Sequence, residues 1–188
     1  SMEWLGRLYK SLDLLDSAIV KCKKCPRLVD WREEVAVTKR KAYENEKYWG
    51  KPVPGFGSSK PKMLIVGLAP GAHGANRTGR IFTGDRSGEW LFRAMHKAGF
   101  ANQAESINKK DGLKLTDARV ITAVRCAPPD NKPTIKERDT CNKWMDLEWK
   151  FIEKDLKAAI DLLKKEAKSI QKEAKAVAKK LVNKMPIV

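Results

Sequence analysis

The sequence has no run of about 18 or more apolar residues, so no segment is predicted to span a membrane. Its N-terminal segment is charged and patterned throughout and lacks an export signal, which predicts a cytoplasmic protein. Cysteine is scarce, with four residues among 188. In the reducing cytoplasm, cysteines act as metal ligands more often than they form disulfides. Neither a membrane-spanning protein nor a secreted, disulfide-linked one is therefore expected.

Acidic residues are also scarce relative to basic ones. The sequence has 23 aspartates and glutamates and 39 lysines and arginines, which gives a net charge of +16. Residues 146–184 hold eleven lysines and seven acids, a net +4, which leaves +12 for the rest of the chain. Such a charge indicates a phosphate-rich partner. The alternative is a solvated, lysine-rich surface of the kind that thermophiles favour. Because most of the excess lies outside the C-terminal segment, the distribution favours nucleic acid.

Residues 149–188 have no glycine or proline before Pro186, so nothing interrupts a helix there. Their apolar residues recur at alternating steps of four and three, which is a heptad seam. They are Leu156, Ile160, Leu163, Ala167, Ile170, Ala174, Val177 and Leu181. Residues 149–188 are predicted to form a long amphipathic helix that associates with a second copy or a partner protein. The alternative is an ordinary surface helix with an apolar stripe.

Two helices are predicted before the first apolar strand. The first has one apolar face and is predicted to end at Pro26. Its apolar residues are Trp4, Leu8, Leu12, Leu15 and Ile19. A second, highly charged helix is predicted over about 30–47. The segment WGKPVPGFGSSKPK that follows contains three prolines and three glycines, which indicates a loop.

Strand and helix signals alternate in the middle of the chain. KMLIVGLA, residues 62–69, is an apolar run typical of a strand buried on both faces of a parallel sheet. A helix is predicted from a serine cap at Ser87 to Gly99, and ARVITAVRC, residues 118–126, is predicted to be a second buried strand. Thr134 is predicted to cap the next helix. This order is a βαβ unit and predicts an α/β core.

A glycine-rich loop joins the first strand to its helix. The segment GLAPGAHGANRTGRIFTGDRSGEWL, residues 67–91, contains six glycines, one histidine and three arginines. Glycine allows close backbone approach and positive φ at an entropic cost. The loop is therefore predicted to be shaped around a ligand.

The four cysteines form two groups, Cys22-x2-Cys25 and the pair Cys126 and Cys141. All four lie at the ends of predicted elements rather than inside apolar runs. Four thiolates suit a [4Fe–4S] cluster or a tetrahedral zinc site, and the spacing does not choose between them. Either centre would fasten the first helix to the end of the second strand. The alternative is four unrelated buried thiols.

Several ordered motifs resemble the family 5 (type B) uracil-DNA glycosylases over about residues 22–148. They are CKKCPRLVDWREEVA, KYWGKPVPGFG, MLIVGLAPGAHGANRTGRIFTGDRSG and VITAVRCAPPDNKPT, followed by Cys141. The resemblance implies a three-layer α/β/α domain with a parallel sheet over residues 1–148, truncated relative to the family. It also implies a [4Fe–4S] cluster on Cys22, Cys25, Cys126 and Cys141, which favours iron over zinc.

The resemblance further implies DNA repair by hydrolysis of the N-glycosidic bond of uracil after base flipping. Backbone amides would stabilise charge on the leaving base, and an aromatic ring would stack on it. The implied base-binding residues are Gly67, Ala69, Gly71, Ala72, Gly74, Phe82 and Asn131. The implied catalytic residues are Asp85, His73 and Asn131. The implied contacts to DNA phosphates are Arg77, Arg80, Arg125 and Lys132.

Two of these roles have structural alternatives. Asp85 would orient a water or balance a cationic sugar, or else only cap the helix that follows. His73 would hydrogen-bond a carbonyl or a phosphate, or else only shape the loop. Leu68 and Ala123 stand where the related family 4 has glutamate and asparagine. This difference is usual for family 5 and implies reliance on electrostatic stabilisation and a wider set of deaminated bases, hypoxanthine included.

The sequence departs from the family after about Glu148. The family continues with two more strands and a late histidine motif, whereas the histidines here are His73 and His96 alone. The departure leads us to expect a truncated relative, a fused protein or a fragment completed by another chain. The missing strands predict an unpaired sheet edge. The missing motif also supports an alternative function, a catalytically inactive iron–sulfur module that binds DNA and carries a helical interaction tail.

Overall fold

A computed structural model describes the backbone of residues 9–182 and the side chains of residues 9–178. We label its helices and strands in chain order. They are α1 (Leu12–Val20), α2 (Pro26–Thr38), β1 (Phe56–Gly57), β2 (Met63–Gly67), α3 (Ala75–Thr78), α4 (Arg86–Lys97), β3 (Ala118–Thr122) and α5 (Ile135–Val182). Short 3-10 turns lie at Lys41–Tyr43 and Pro129–Asn131.

The described strands form one small sheet in the order β1-β3-β2. β2 and β3 pair in parallel, with Ile65 opposite Val120, and α4 lies between them in sequence. The predicted βαβ unit is therefore confirmed. The sheet as a whole is mixed, because β1 pairs antiparallel with β3. β1 lies within the segment that the prolines and glycines marked as loop, and its two residues are too few to show an alternating pattern.

Helices cover both faces of this sheet, which confirms the three-layer α/β fold. On one face, Ala118 and Val120 of β3 pack with Phe92 and Met95 of α4. The other face carries a second apolar cluster, to which α1, α2 and α5 contribute Leu15, Leu28, Leu147 and others. Successive strand side chains point to opposite faces, so the sheet separates the two clusters.

The prediction that the first strand is buried on both faces is wrong. Every residue of β3 is buried, but β2 is only partly buried and Val66 is 51 % exposed. The cause is position: β3 lies between two strands, whereas β2 is an edge strand of the described sheet. Its outer edge is the unpaired edge that the sequence predicted.

The two N-terminal helices differ from expectation at their ends. The apolar face of α1 is confirmed for Leu12, Leu15 and Ile19, which are buried, while Trp4 and Leu8 lie outside the described residues. α2 starts at Pro26, earlier than predicted, because proline suits the first position of a helix as well as the end of the previous one. α2 ends before Lys39, whose φ of 55° is left-handed.

α5 is one continuous helix of 48 residues. Its start confirms the predicted cap, because the Thr134 side chain accepts a hydrogen bond from the Glu137 backbone and Glu137 accepts one from the Thr134 backbone. Ile152 and Leu156 belong to the core, so the predicted boundary at residue 148 lies inside the helix. Among described side chains, the seam beyond Leu156 is largely exposed.

A buried ion network joins α5 to β3. Both carboxylate oxygens of Glu148 are used: Oε1 lies 2.6 Å from Nε of Arg119 and Oε2 lies 2.5 Å from Nη2 of Arg125. Glu148 is 0 % exposed. Arg119 also contacts Asp16 of α1 at 3.2 Å, and burial raises the pKa of Asp16 against the lowering effect of Arg119. The network holds α1, β3 and α5 together.

Within the described residues, none of the helices is both long enough and apolar enough to cross a lipid bilayer.

Candidate active site

A pocket of about 400 Å³ opens at the carboxyl ends of β2 and β3. Ligands of open α/β sheets bind at this end of the strands. Five residues with a sequence-predicted role line it: Ala69, Gly71, Phe82, Asp85 and Asn131. The others are Leu68, Pro70, Ala75, Ile81, Arg86, Ser87 and Thr122. The structure therefore brings much of the predicted base-binding set to one cavity.

Phe82 presents an aromatic ring to this pocket from a strained backbone. Its φ is 51°, in the left-handed region that bulky residues rarely adopt. Its ring lies against Gly67, where a Cβ would come within 2.9 Å of Cζ. Ser106 donates a hydrogen bond to the Phe82 carbonyl at 3.3 Å. A strained residue that the surrounding structure holds in place is typical of a functional site.

The glycine loop leaves backbone donors free beside the pocket. Among the described residues, the N–H groups of Ala69, Gly71 and Ala72 donate to no acceptor. Ala69 and Gly71 line the pocket, while Ala72 does not. Free N–H groups at a cavity wall provide a hydrogen-bonding surface for a carbonyl or an anion.

Asp85 caps α4 and also faces the glycine loop. Its Oδ1 accepts hydrogen bonds from the Gly88 N–H at 2.9 Å and the Ser87 hydroxyl at 2.7 Å. Its carboxylate packs so closely on Gly74 that a Cβ there would collide with Oδ2. The cap of this helix is Asp85, not Ser87 as predicted, so the structural alternative for Asp85 is realised. No described residue forms a hydrogen bond with Oδ2, which remains free for a second role.

Asn131 enters the pocket from the loop after β3. Its φ of 56° is left-handed, a conformation that asparagine tolerates better than most residues. Within the described structure its side-chain amide forms no hydrogen bond, and the residue is exposed. A free amide offers both a donor and an acceptor to a ligand.

His73 does not line this pocket. Its Nδ1 lies 3.0 Å from the Tyr48 hydroxyl, and the two rings meet edge to face. Burial lowers the pKa of His73, and Arg40 and Arg77 lower it further. This arrangement matches the structural alternative for His73, which is to shape the loop.

Arg77 and Arg80 are buried scaffold residues, so the prediction that they contact phosphates is corrected. Arg77 donates to the carbonyls of His73 and Gly84, each at 2.7 Å, and forms an ion pair with Glu46. Arg80 forms a bidentate pair with Asp111 and donates to Thr83 and Ser106. Burial opposes ionisation of Asp111, but Arg80 and two backbone N–H groups lower its pKa to about 2. Both arginines hold the loop around Phe82.

Arg125 is likewise buried, at 1 % exposure, and paired with Glu148, so its predicted phosphate contact is also corrected. The sequence around an arginine does not show whether a distant carboxylate forms an ion pair with it in the folded interior. Lys132 differs, because its side chain is exposed and forms no ion pair with any described residue. Its phosphate contact stays a prediction.

All four cysteines line one small cleft, together with residues of α2 and α5. Its volume is about 10 Å³, space for at most about one water. Burial raises the pKa of Cys126 to about 12 and also raises the pKa values of Cys25 and Cys141. Buried thiols of this kind stay protonated at neutral pH unless a cation replaces the proton.

Two buried arginines stand beside these sulfurs. Arg32 Nη1 lies 3.1 Å from Sγ of Cys126, and the Arg125 backbone N–H lies 3.3 Å from Sγ of Cys141. Nε of Arg32 and both Nε and Nη1 of Arg125 have no hydrogen-bond partner. Across the side chains described, no group of three or more His, Cys, Asp or Glu is arranged to hold a metal ion. The donor set, four sulfurs with unsatisfied cationic donors, nevertheless fits a thiolate-ligated, anionic centre in its chemistry.

Sequence reasoning missed Thr122 and Arg86. Thr122, the last residue of β3, is 1 % exposed, and its Oγ1 has no partner although the residue lines the pocket. Its position at the carboxyl end of a predicted strand could have indicated a role in the pocket, because ligands of α/β sheets bind at that end. Arg86 follows the capping Asp85, and the first position of the helix places it at the pocket.

Comparison with known proteins agrees with this geometry. The sequence model of the Uracil DNA glycosylase superfamily matches residues 54–182. Type-5 uracil-DNA glycosylases of Mycobacterium bovis and Mycobacterium leprae are each 53 % identical, over 79 % and 81 % of this chain. That of Thermus thermophilus is 52 % identical over 68 % of the chain.

The aligned part spans 55 %, 66 % and 57 % of the lengths of these three relatives. The chain thus covers a little over half to about two thirds of each. All three relatives carry the name of an enzyme, so the alternative of an inactive DNA-binding module gains no support. The superfamily match covers more than half of the chain. The chain belongs to the uracil DNA glycosylase superfamily.

Proposed function

We propose that this chain repairs DNA by hydrolysing the N-glycosidic bond of uracil, which leaves an abasic site. The observation that carries the proposal is the pocket of about 400 Å³ that joins Phe82, the free N–H groups of the glycine loop and Asn131. Its volume is within the range of about 300–1,000 Å³ that is usual for small-molecule sites. The base must leave the DNA stack to reach it.

Base binding uses three different contacts. The Phe82 ring provides a stacking surface, which contributes about 1–3 kcal/mol per base in other proteins. The amide of Asn131 pairs with the hydrogen-bonding edge of uracil, where it donates to a carbonyl oxygen and accepts from a ring N–H. The apolar wall at Leu68, Pro70 and Ile81 excludes water from the base.

The chemical step depends on where charge develops. As the glycosidic bond lengthens, negative charge accumulates on the uracil ring and positive charge on the sugar. The N–H groups of Ala69 and Gly71 stabilise the departing base. Oδ2 of Asp85 is the pocket's free carboxylate oxygen, and it orients the attacking water or stabilises the sugar cation. His73 supports the loop through Tyr48 and takes no part in the chemistry.

Base preference follows from what the pocket wall lacks. Leu68 lines the pocket and Ala123 follows β3, and neither offers a hydrogen bond that would select uracil. Discrimination between deaminated bases is therefore left to Asn131, the backbone and the unpartnered hydroxyl of Thr122. We propose that hypoxanthine is also a substrate, more slowly removed than uracil because a purine fills more of the pocket.

A single-turnover gel assay tests this function. A labelled oligonucleotide with one uracil is incubated with excess protein, treated with alkali and resolved by length. Cleavage at the uracil position is expected for the uracil strand and not for a thymine strand. Protein that carries its metal centre and yields no alkali-labile product above background would contradict the proposal.

We further propose that Cys22, Cys25, Cys126 and Cys141 hold a [4Fe–4S] cluster, with tetrahedral zinc as the alternative. Such a centre supplies structural cross-linking of α1, α2 and α5 rather than redox chemistry for the reaction. Arg32 and Arg125 support it, because Arg32 Nη1 donates to the Cys126 sulfur and Arg125, which lines the same cleft, has two buried nitrogens without a partner. We also propose that Lys132 contacts a DNA phosphate.

Replacing Cys141 with serine should remove the centre and lower the melting temperature. A hydroxyl is a poor substitute for a thiolate, and three ligands do not hold the cluster stably. Metal analysis of anaerobically purified protein should find about four irons per wild-type chain and few in the variant. An exposed change of similar size, Ser169→Ala, is the control. Equal iron content in Cys141→Ser and wild type would contradict the cluster, and one zinc per chain would establish the alternative.

A further inference from the structure

The solvent face of α4 carries a stripe of cations around one tryptophan. Arg86, Trp90, Arg93 and Lys97 recur at steps of four, three and four, so they share one side of the helix. All four are exposed, and Trp90 is 64 % exposed. The buried residues of α4, Gly88, Phe92 and Met95, lie on the opposite side. We call these four exposed residues the α4 stripe.

The cationic side chains of the α4 stripe form no ion pair within the described structure. No described carboxylate forms an ion pair with Arg86, Arg93 or Lys97. The guanidinium of Arg93 lies 5.8 Å from the centre of the Trp90 ring. In contrast, Arg77, Arg80 and Arg119 are buried and paired with carboxylates. The cations of the stripe therefore form no ion pair, although Glu89 lines the same cleft as Arg93, and an exposed aromatic face lies beside them.

The α4 stripe begins at the pocket. Arg86 lines the pocket that holds Phe82 and Asn131. Arg93 lines a neighbouring cleft, and Asp85 belongs to both cavities. From Arg86 to Lys97 the helix rises about 16 Å, which is the axial rise of about five nucleotides of one strand. A strand that places one nucleotide in the pocket thus has a continuous path along the helix.

We infer that the α4 stripe binds the DNA strand next to the everted nucleotide. Arg86, Arg93 and Lys97 contact phosphates along the strand, and Trp90 stacks on an unpaired neighbouring base. Cations that follow the backbone together with an aromatic platform are the arrangement that binds single strands without sequence preference. The inference rests on the proposed function for its ligand, DNA, but it concerns binding and not turnover.

Salt-dependent binding of uracil-free DNA tests the inference on the full chain. The probe is a fluorescein-labelled single strand of mixed sequence, titrated between about 50 and 200 mM salt. The double variant Arg93→Gln/Lys97→Gln should bind more weakly, and its log Kd against log salt should be shallower by about 1.4. The control Lys164→Gln/Lys168→Gln removes two exposed charges at the same spacing from α5 and should leave the slope unchanged.

Trp90 is tested separately. Trp90→Ala should raise Kd for the single strand by about fivefold or more, while Trp90→Phe keeps a ring and should lose less. A fully paired duplex, which offers no unstacked base, should be affected less than the single strand. Equal slopes for the two double variants, an unchanged Kd for Trp90→Ala, or no binding of the uracil-free single strand by wild type would each overturn the inference. Retained excision of uracil alongside any of these results would leave the proposed function standing.

Discussion

Replacing Asn131 with aspartate should lower kcat/KM for uracil excision by about 100- to 1,000-fold, the usual effect of removing one hydrogen-bond donor to developing charge. Within the described structure the side-chain amide of Asn131 has no hydrogen-bond partner. It is therefore available to pair with a bound base. Aspartate keeps the size and tolerates the φ of 56°, but it cannot donate, and its charge repels the departing uracil anion.

The matched control is Asn142→Asp, which makes the same change at an exposed position of α5 outside the pocket. It should leave the excision rate unchanged, and both variants should unfold at the wild-type temperature. Single-turnover excision across protein concentrations separates binding from chemistry. A rate for Asn131→Asp within about threefold of the control would remove Asn131 from the site.

Replacing Glu148 with alanine should lower the free energy of unfolding by about 3–5 kcal/mol, the usual cost of leaving a buried charge without its partner. Glu148 neutralises Arg119 and Arg125 at once, and none of the three is more than 3 % exposed. Asp16 remains near Arg119 in the variant, but Arg125 would keep no carboxylate. The change would also disturb the cysteine cleft that Arg125 lines.

Urea unfolding followed by circular dichroism measures this loss. The control is Glu153→Ala, because Glu153 also forms an ion pair on α5, at 2.8 Å from Lys157, but on the exposed side of the helix. Exposed pairs of this kind contribute little, so its midpoint should match wild type. An unfolding midpoint for Glu148→Ala that equals the control would show that the network does not stabilise the fold.

The sequence allowed the α/β core to be predicted because apolar runs and caps are local signals. β2, β3 and the Thr134 cap all follow from a few adjacent residues. The order of motifs also predicted which loop forms the pocket. The burial of β2 could not be predicted, since an edge strand and a central strand share the same apolar run and differ only in their neighbours.

The burial and the ion-pair partners of charged side chains were the least predictable part of the site. Arg77 and Arg80 lie in the glycine loop and Arg125 follows β3. Each forms an ion pair with a carboxylate from a distant segment, respectively Glu46, Asp111 and Glu148. Such pairings depend on tertiary contacts that no local pattern encodes. The α4 stripe was accessible in principle, because its steps of four, three and four are visible once the helix is assigned.

The central claim is that the glycine-walled pocket receives one everted uracil, and 2-aminopurine fluorescence tests it most directly. The probe base sits beside uracil in a duplex and brightens when its neighbour leaves the stack. Gly71→Leu fills the pocket, and the backbone tolerates it because a Cβ there lies 3.4 Å from Asp85. We predict brightening by wild-type protein for the uracil duplex only, and none by Gly71→Leu. Equal brightening with thymine, or an undiminished signal from Gly71→Leu, would contradict the claim.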